Sequence, residues 1–212
     1  MAEESDQHPE LPIRFDERGL APCVIQDAST GEVLTLAYVN AEALARTRES
    51  GEMHLWSRSR DELWHKGATS GNVQRVRELR YDCDADAVLA LVDPAGPACH
   101  TGERTCFHRA LPGASDPGSV THEALPELER TLAARKAERP EGSYTVELLD
   151  DPELIGEKVR EEADEVARAV AGESDERVAE EAADVLYHLE VALLSRDVAL
   201  ADALDVLITR RS

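Results

Sequence analysis

Residues 111–119 read Leu-Pro-Gly-Ala-Ser-Asp-Pro-Gly-Ser, and the hydrophobic period of the chain changes across them. Two Pro-Gly breaks among small polar residues continue neither a helix nor a strand ladder. From Ile13 to about Arg109, strand-like runs (Val33 to Tyr38, Ala87 to Val92) alternate with turn signals, and this half holds both Trp and all four Cys. Beyond Val120 the chain is rich in Ala, Leu, Glu and Arg at helical spacing. Leu125, Leu128 and Leu132 form one stripe, and Val185, Leu186, Leu189 and Leu193 another. Pro152 suits the first turn of a helix beginning near Asp151; Gly172 with Ser174 suits a stop followed by a new N-cap. The expectation is two domains, a mixed α+β unit over 1–110 and an all-α helical bundle over 120–212, joined by a linker at 111–119.

Charge narrows the partners. The net charge is −21, and the helical half carries most of it, with 11 Lys/Arg against 25 Asp/Glu compared with 12 against 19 before residue 111. Such a chain is no sequence-independent nucleic-acid binder, and anionic membranes disfavour it. No apolar run is long enough to span a bilayer, and Met1 to Glu10 is acidic where a signal peptide would be basic and then apolar. A cytosolic protein is expected, with Cys23, Cys83, Cys99 and Cys106 as free thiols or metal ligands.

The first cluster that could carry chemistry is Asp82-Cys83-Asp84-Ala85-Asp86, leading into a β-prone run. In an extended strand, Asp82, Asp84 and Asp86 would face one way and Cys83 the other. Three like charges on one face favour a hard cation such as Mg²⁺, although an acidic turn ahead of a strand has the same composition. Cys83, Cys99 and Cys106 offer three thiolates without an obvious fourth protein ligand, the pattern of a catalytic zinc with an open position; buried inert cysteines read equally well from spacing. His100, beside Cys99, is positioned to take or relay a proton, to ligate, or only to hydrogen-bond. Cys23 reads as a buried thiol.

The one extended positive stretch lies between Trp56 and Arg80, with Arg58, Arg60, Lys66, Arg75, Arg77 and Arg80 against Asp61, Glu62 and Glu78. Inside it, Trp64, His65, Lys66, Thr69, Ser70 and Asn72 bracket two glycines, as in a phosphate-cradling loop or a solvated hairpin. In the helical half, Glu162/Glu165 and Glu181/Asp184 are i,i+3 pairs, so two packed helices would bring four carboxylates to one Mg²⁺; an acidic solvated surface is the alternative.

Taken in order, Trp56-Ser-Arg-Ser-Arg60, Trp64-His-Lys-Gly67, Thr69-Ser-Gly-Asn72, Asp82-Cys-Asp84 with Asp86, and Cys99-His-Thr-Gly-Glu103 through Cys106 resemble phosphoribosyl-AMP cyclohydrolase. Gly142-Ser-Tyr-Thr145, Lys158-Val-Arg-Glu-Glu162, Glu165 and Glu181-Ala-Ala-Asp-Val-Leu-Tyr-His188 resemble phosphoribosyl-ATP pyrophosphatase of the all-α nucleotide pyrophosphohydrolase superfamily. The order matches the fused bifunctional enzyme of histidine biosynthesis. The resemblance implies a homodimer acting on small phosphoribosyl nucleotides. Zinc would sit on Cys83, Cys99 and Cys106, with Cys83 supplied across the dimer interface. Magnesium would sit on Asp82, Asp84 and Asp86, and a second magnesium site on Glu162, Glu165, Glu181 and Asp184. His100 would serve catalysis, and Arg58, Arg60, Trp64, His65, Lys66, Thr69, Ser70 and Asn72 would bind substrate. The departures are Arg160 and Ala85, each where the family often has glycine. A zinc deaminase would release ammonia, but its His-x-Glu and Pro-Cys-x-x-Cys signature is absent. A zinc-stapled adaptor would need a closed four-ligand site.

Overall fold

The computed structural model describes residues 12–113 and 120–211, so Met1 to Glu10 and most of the expected linker lie outside the described residues. The described chain forms two compact units, one on each side of that segment.

The first unit is built on six strands, β1 (Ala21–Asp27), β2 (Val33–Val39), β3 (His54–Ser57), β4 (Glu62–His65), β5 (Gln74–Tyr81) and β6 (Val88–Pro94). They form one sheet in the order β4-β3-β2-β1-β6-β5. Only the central β1–β6 pair is parallel, with Cys23 opposite Val88 and Asp27 opposite Val92. The two strand runs expected from sequence are β2 and β6. Asp27 closes the β1–β2 turn by accepting from Ser29 N (2.8 Å) and Thr30 N (3.1 Å), as acidic turn residues do. The one helix among this unit's described residues, α1 (Ala41–Ser50), starts where the Asn40 side chain accepts from Ala43 N. It stops at Gly51, whose φ of 70° is a left-handed cap. Ile25, Leu34, Val39, Leu44, Met53, Leu55, Ala90 and Val92 fill the core between α1 and the sheet. Cys23 belongs to that core, and burial pushes its thiol up to about 12, as expected of an inert cysteine.

The second unit is helical throughout: α2 (Ala124–Glu138), α3 (Tyr144–Asp150), α4 (Pro152–Gly172), α5 (Asp175–Ser195) and α6 (Leu200–Thr209). Local capping chemistry sets the ends as read from sequence. Asp151 accepts from Glu153 N and Leu154 N ahead of Pro152, and Ser174 accepts from Arg177 N to start α5. The two residues between α4 and α5 fold these long helices into a hairpin around Leu132, Leu148, Ile155 and Val191. The expected stripe on α5 is not the buried one: Leu186 and Leu189 are 40% and 38% exposed, whereas Glu181, His188 and Val191 are buried. The face of α5 that meets α4 is instead the one carrying Glu181 and His188. No residue of α6 is buried, and Leu204, Val206, Leu207 and Ile208 are exposed. Among the described residues, no helix is long and apolar enough to cross a membrane.

Candidate active sites

Residues 82–86 are a turn between β5 and β6, which corrects the expectation of a strand and of face-switching at Cys83. The Asp82 side chain caps the turn, accepting from Asp86 N (3.0 Å) and Ala87 N (3.1 Å). These bonds outweigh the pleat that alternation assumed. Ala85 adopts a φ of 63°, a left-handed backbone that glycine takes without a steric penalty. The turn still gathers Asp82, Asp84 and Asp86, with a carboxylate oxygen of each within 4.8 Å of the others. Hydrogen bonding from Ala87 N holds Asp82 below the usual carboxylate range, while the Asp84 charge pushes Asp86 up. Arg14 lies against the turn, pairing with Asp84 at 3.8 Å. An oxygen-only, strongly acidic cluster matches what Mg²⁺ coordinates.

The thiols divide. Cys99 and Cys106 adjoin one another on the loop after β6, whereas Cys83 is exposed on the acidic turn and joins no such group in the single chain. Thr101 Oγ1 donates to Cys99 Sγ at 3.1 Å, a bond that lowers the thiol pKa, and His100 Nδ1 lies 3.8 Å from the same sulfur. Cys106 is raised, chiefly by desolvation. The loop is anchored to the sheet by Arg104, which bonds Asp27 (2.6 Å) and Glu32 (2.7 Å), and by Cys106 N donating to Leu34 O (2.8 Å). Two adjoining thiols and an open flank fit part of a zinc coordination sphere and leave room for a third thiolate.

The basic stretch splits three ways. Arg58 and Arg60 line a cleft with Tyr38, Trp56 and Trp64. There Arg58 stacks 3.8 Å above Tyr38, and Arg60 pairs with Glu62 at 2.9 Å. His65 turns away, bonding Glu52 at 2.8 Å and stacking on His54. Lys66 and Asn72 turn inward to the backbone before Cys99, donating to Ala98 O (2.5 Å) and Pro97 O (3.1 Å). Thr69 and Ser70 are exposed on the intervening loop, which Gly67 enters with a φ of 88° where a Cβ would collide with the backbone of Asn72 and Val73.

In the helical unit, Glu162 and Glu165 of α4 meet Glu181 of α5 with oxygens within 4.8 Å. Glu162 and Glu181 are 8% and 4% exposed, so unneutralised charge there is costly. Arg177 pairs with Glu181, and Arg168 with Glu165 at 2.7 Å. Asp184 is exposed and outside this cluster, so the expected quartet is a trio in the single chain. Sequence reasoning missed His188, buried with Nδ1 3.8 Å from Glu162 and Nε2 3.2 Å from the Tyr144 hydroxyl. Its i+7 spacing from Glu181 was the available signal.

Comparison with known proteins places these two centres in separate domains. The phosphoribosyl-AMP cyclohydrolase family model matches residues 35–108, and the phosphoribosyl-ATP pyrophosphohydrolase model matches residues 125–211. The histidine biosynthesis bifunctional protein HisIE of Bacillus subtilis is 49% identical over 201 residues, covering 94% of this chain and 95% of its own. The proteins of the same name from Thermus thermophilus and Gloeobacter violaceus are 50% identical over 85% of this chain and 48% identical over 96%, covering 84% and 93% of their own lengths. The chain belongs to the HisIE family. It is thus a bifunctional enzyme of histidine biosynthesis. The acidic turn, the thiol loop and the arginine cleft fall within its cyclohydrolase domain, and the glutamate trio within its pyrophosphohydrolase domain.

Proposed function

We propose that the helical unit hydrolyses the α–β linkage of phosphoribosyl-ATP, giving phosphoribosyl-AMP and pyrophosphate, and that the first unit then adds water to C6 of the N1-ribosylated adenine and breaks N1–C6. The observation that carries this reading is the buried pairing of Glu162 with Glu181 across α4 and α5, in the same chain as the Cys99–Cys106 pair. The glutamates concentrate carboxylate charge where burial calls for compensation, and the thiols set two soft donors side by side.

Magnesium would be held by Glu162, Glu165 and Glu181, with Asp184 joining on closure of the site, and by Asp82, Asp84 and Asp86. Zinc would be held by Cys99 and Cys106 of one copy and Cys83 of a second, which makes the acting species a homodimer. When bound, these metals neutralise phosphate oxygens and lower the pKa of a coordinated water toward neutrality. The chain's own groups do the rest. Arg58 and Arg60, beside Trp64, bind the anionic and aromatic parts of the nucleotide, and Thr69, Ser70 and Asn72 contribute loop donors, with His65 at the margin. His100, exposed next to Cys99, takes a proton from the attacking water and returns one as the ring opens, so the carboxamide forms and no ammonia leaves. His188 and Tyr144 orient the glutamate trio. The compartment is the reducing cytosol, where unpaired thiols persist.

Separating the two activities tests the proposal. Glu162→Gln is expected to abolish pyrophosphate release while leaving ring opening of supplied phosphoribosyl-AMP intact, and Cys106→Ser to do the reverse. Loss of both activities in either soluble, folded variant would contradict the division of labour.

A further inference from the structure

Lys66 is turned inward from the basic stretch. Its side chain is only 8% exposed, the ammonium donates to Ala98 O at 2.5 Å, and its Nζ lies 5.2 Å from the centre of the Trp64 ring. Among the described residues, no carboxylate comes within ion-pair distance of it. A buried ammonium without a counter-charge is disfavoured, so negative charge brought to the adjoining thiol loop would stabilise it. Ala98, whose carbonyl the ammonium holds, directly precedes Cys99 in the thiol loop. The backbone agrees: Asn72 Nδ2 donates to Pro97 O, Ala95 N donates to Val73 O (2.9 Å), and Gly96 packs against the Asn72 amide, so the loop from Lys66 to Val73 braces the segment that delivers Cys99.

Resting on the zinc reading above, we infer that Lys66 is a positioning residue of the thiolate centre: it fixes the Ala98–Cys99 backbone and supplies the positive charge that a three-thiolate zinc site lacks. Three thiolates and one Zn²⁺ leave one net negative charge in a partly buried loop, and the Lys66 ammonium cancels it without occupying a coordination position. Partners of this kind orient ligands and tune affinity without touching the metal. The assignment moves Lys66 from substrate binding to support of the metal.

The test is zinc affinity of the full-length protein, by competition with a fluorescent chelator, for wild type, Lys66→Gln, Lys66→Met and Lys66→Arg. The thiolate-to-cobalt charge-transfer band of the Co²⁺-loaded proteins is recorded alongside. Lys66→Gln keeps a donor for Ala98 O but no charge, and Lys66→Arg keeps the charge. Both neutral variants are expected to weaken zinc binding about 10- to 100-fold and to shift the band, with Lys66→Arg recovering part of the loss. Should Lys66→Met not fold, Lys66→Gln carries the comparison. Wild-type zinc affinity in the neutral variants, with the only change a raised KM for phosphoribosyl-AMP, would overturn the inference and return Lys66 to the substrate. Equal losses in the Gln and Arg variants would overturn the charge role. A wild-type protein that binds no zinc would overturn the zinc reading itself, and this inference with it.

Discussion

Glu190 offers a perturbation whose size depends on pH. It lies on α5, 4% exposed, facing a small cavity lined by Glu129, Leu132, Leu193, Leu194, Val198 and Leu200. Neither carboxylate oxygen has a hydrogen-bond partner among the described residues. Burial, reinforced by the Glu129 charge, raises the pKa from 4.5 to about 7. A carboxyl raised in the folded state is bound more tightly to its proton there than in the unfolded chain. Its contribution therefore favours the fold at low pH, erodes as pH rises from about 4.5, and levels off above about 7. That rise corresponds to about 3 kcal/mol of destabilisation at pH 8. Glu190→Gln preserves shape and removes the charge but leaves a buried amide, so a net gain of about 2 kcal/mol at pH 8 is expected, shrinking toward zero near pH 5. For a unit of this size that gain is about 8–16 °C in Tm. The assay is thermal unfolding followed by far-UV circular dichroism at both pH values, reading the helix-dominated transition because two units need not unfold together. A Gln variant less stable than wild type at pH 8 would refute the reasoning, because it would mean that the ionised carboxylate makes a contact the fold depends on.

Other substitutions read out different parts of the account. Arg104→Met strands the buried Asp27 carboxylate and frees the thiol loop; a loss of about 3–5 kcal/mol in the first unit is expected in urea unfolding, accompanied by weaker zinc binding. Ala85→Gly relieves a left-handed backbone and should raise that unit's stability by about 0.5–1 kcal/mol, measured by the same titration, with destabilisation as the contrary result. His188→Phe keeps the ring and removes its contacts with Glu162 and Tyr144, so kcat for pyrophosphate release should fall about 10-fold or more with ring opening unchanged.

Features governed by chemistry within a few residues were legible in the sequence. The Asp151–Pro152 and Gly172–Ser174 helix ends, the β2 and β6 runs and the change of period near residue 111 all follow from capping, branching and breaker residues. Features set by competition between local and distant bonds were not. Alternation at 82–86 gave way to the Asp82 side-chain cap, and the α5 stripe at Leu186 and Leu189 gave way to the face on which Glu181 and His188 meet the glutamates of α4. The inward turn of Lys66 depends on Ala98, 32 residues away, which no local pattern encodes. Gathering of the three aspartates and of Glu162, Glu165 and Glu181 was foreseeable because like charges at close spacing require compensation. The exclusion of Asp184 depends on helix rotation.

The central claim is that one chain carries two metal-dependent hydrolytic centres that act in succession. Incubation of the purified protein with phosphoribosyl-ATP, excess Mg²⁺ and trace Zn²⁺, while following pyrophosphate release and the absorbance change of ring opening together, tests it most directly. Both signals are expected, pyrophosphate first, and a zinc-selective chelator should remove ring opening while pyrophosphate release continues. Ring opening that persists when zinc is stripped, or the absence of both signals from a folded protein, would contradict it.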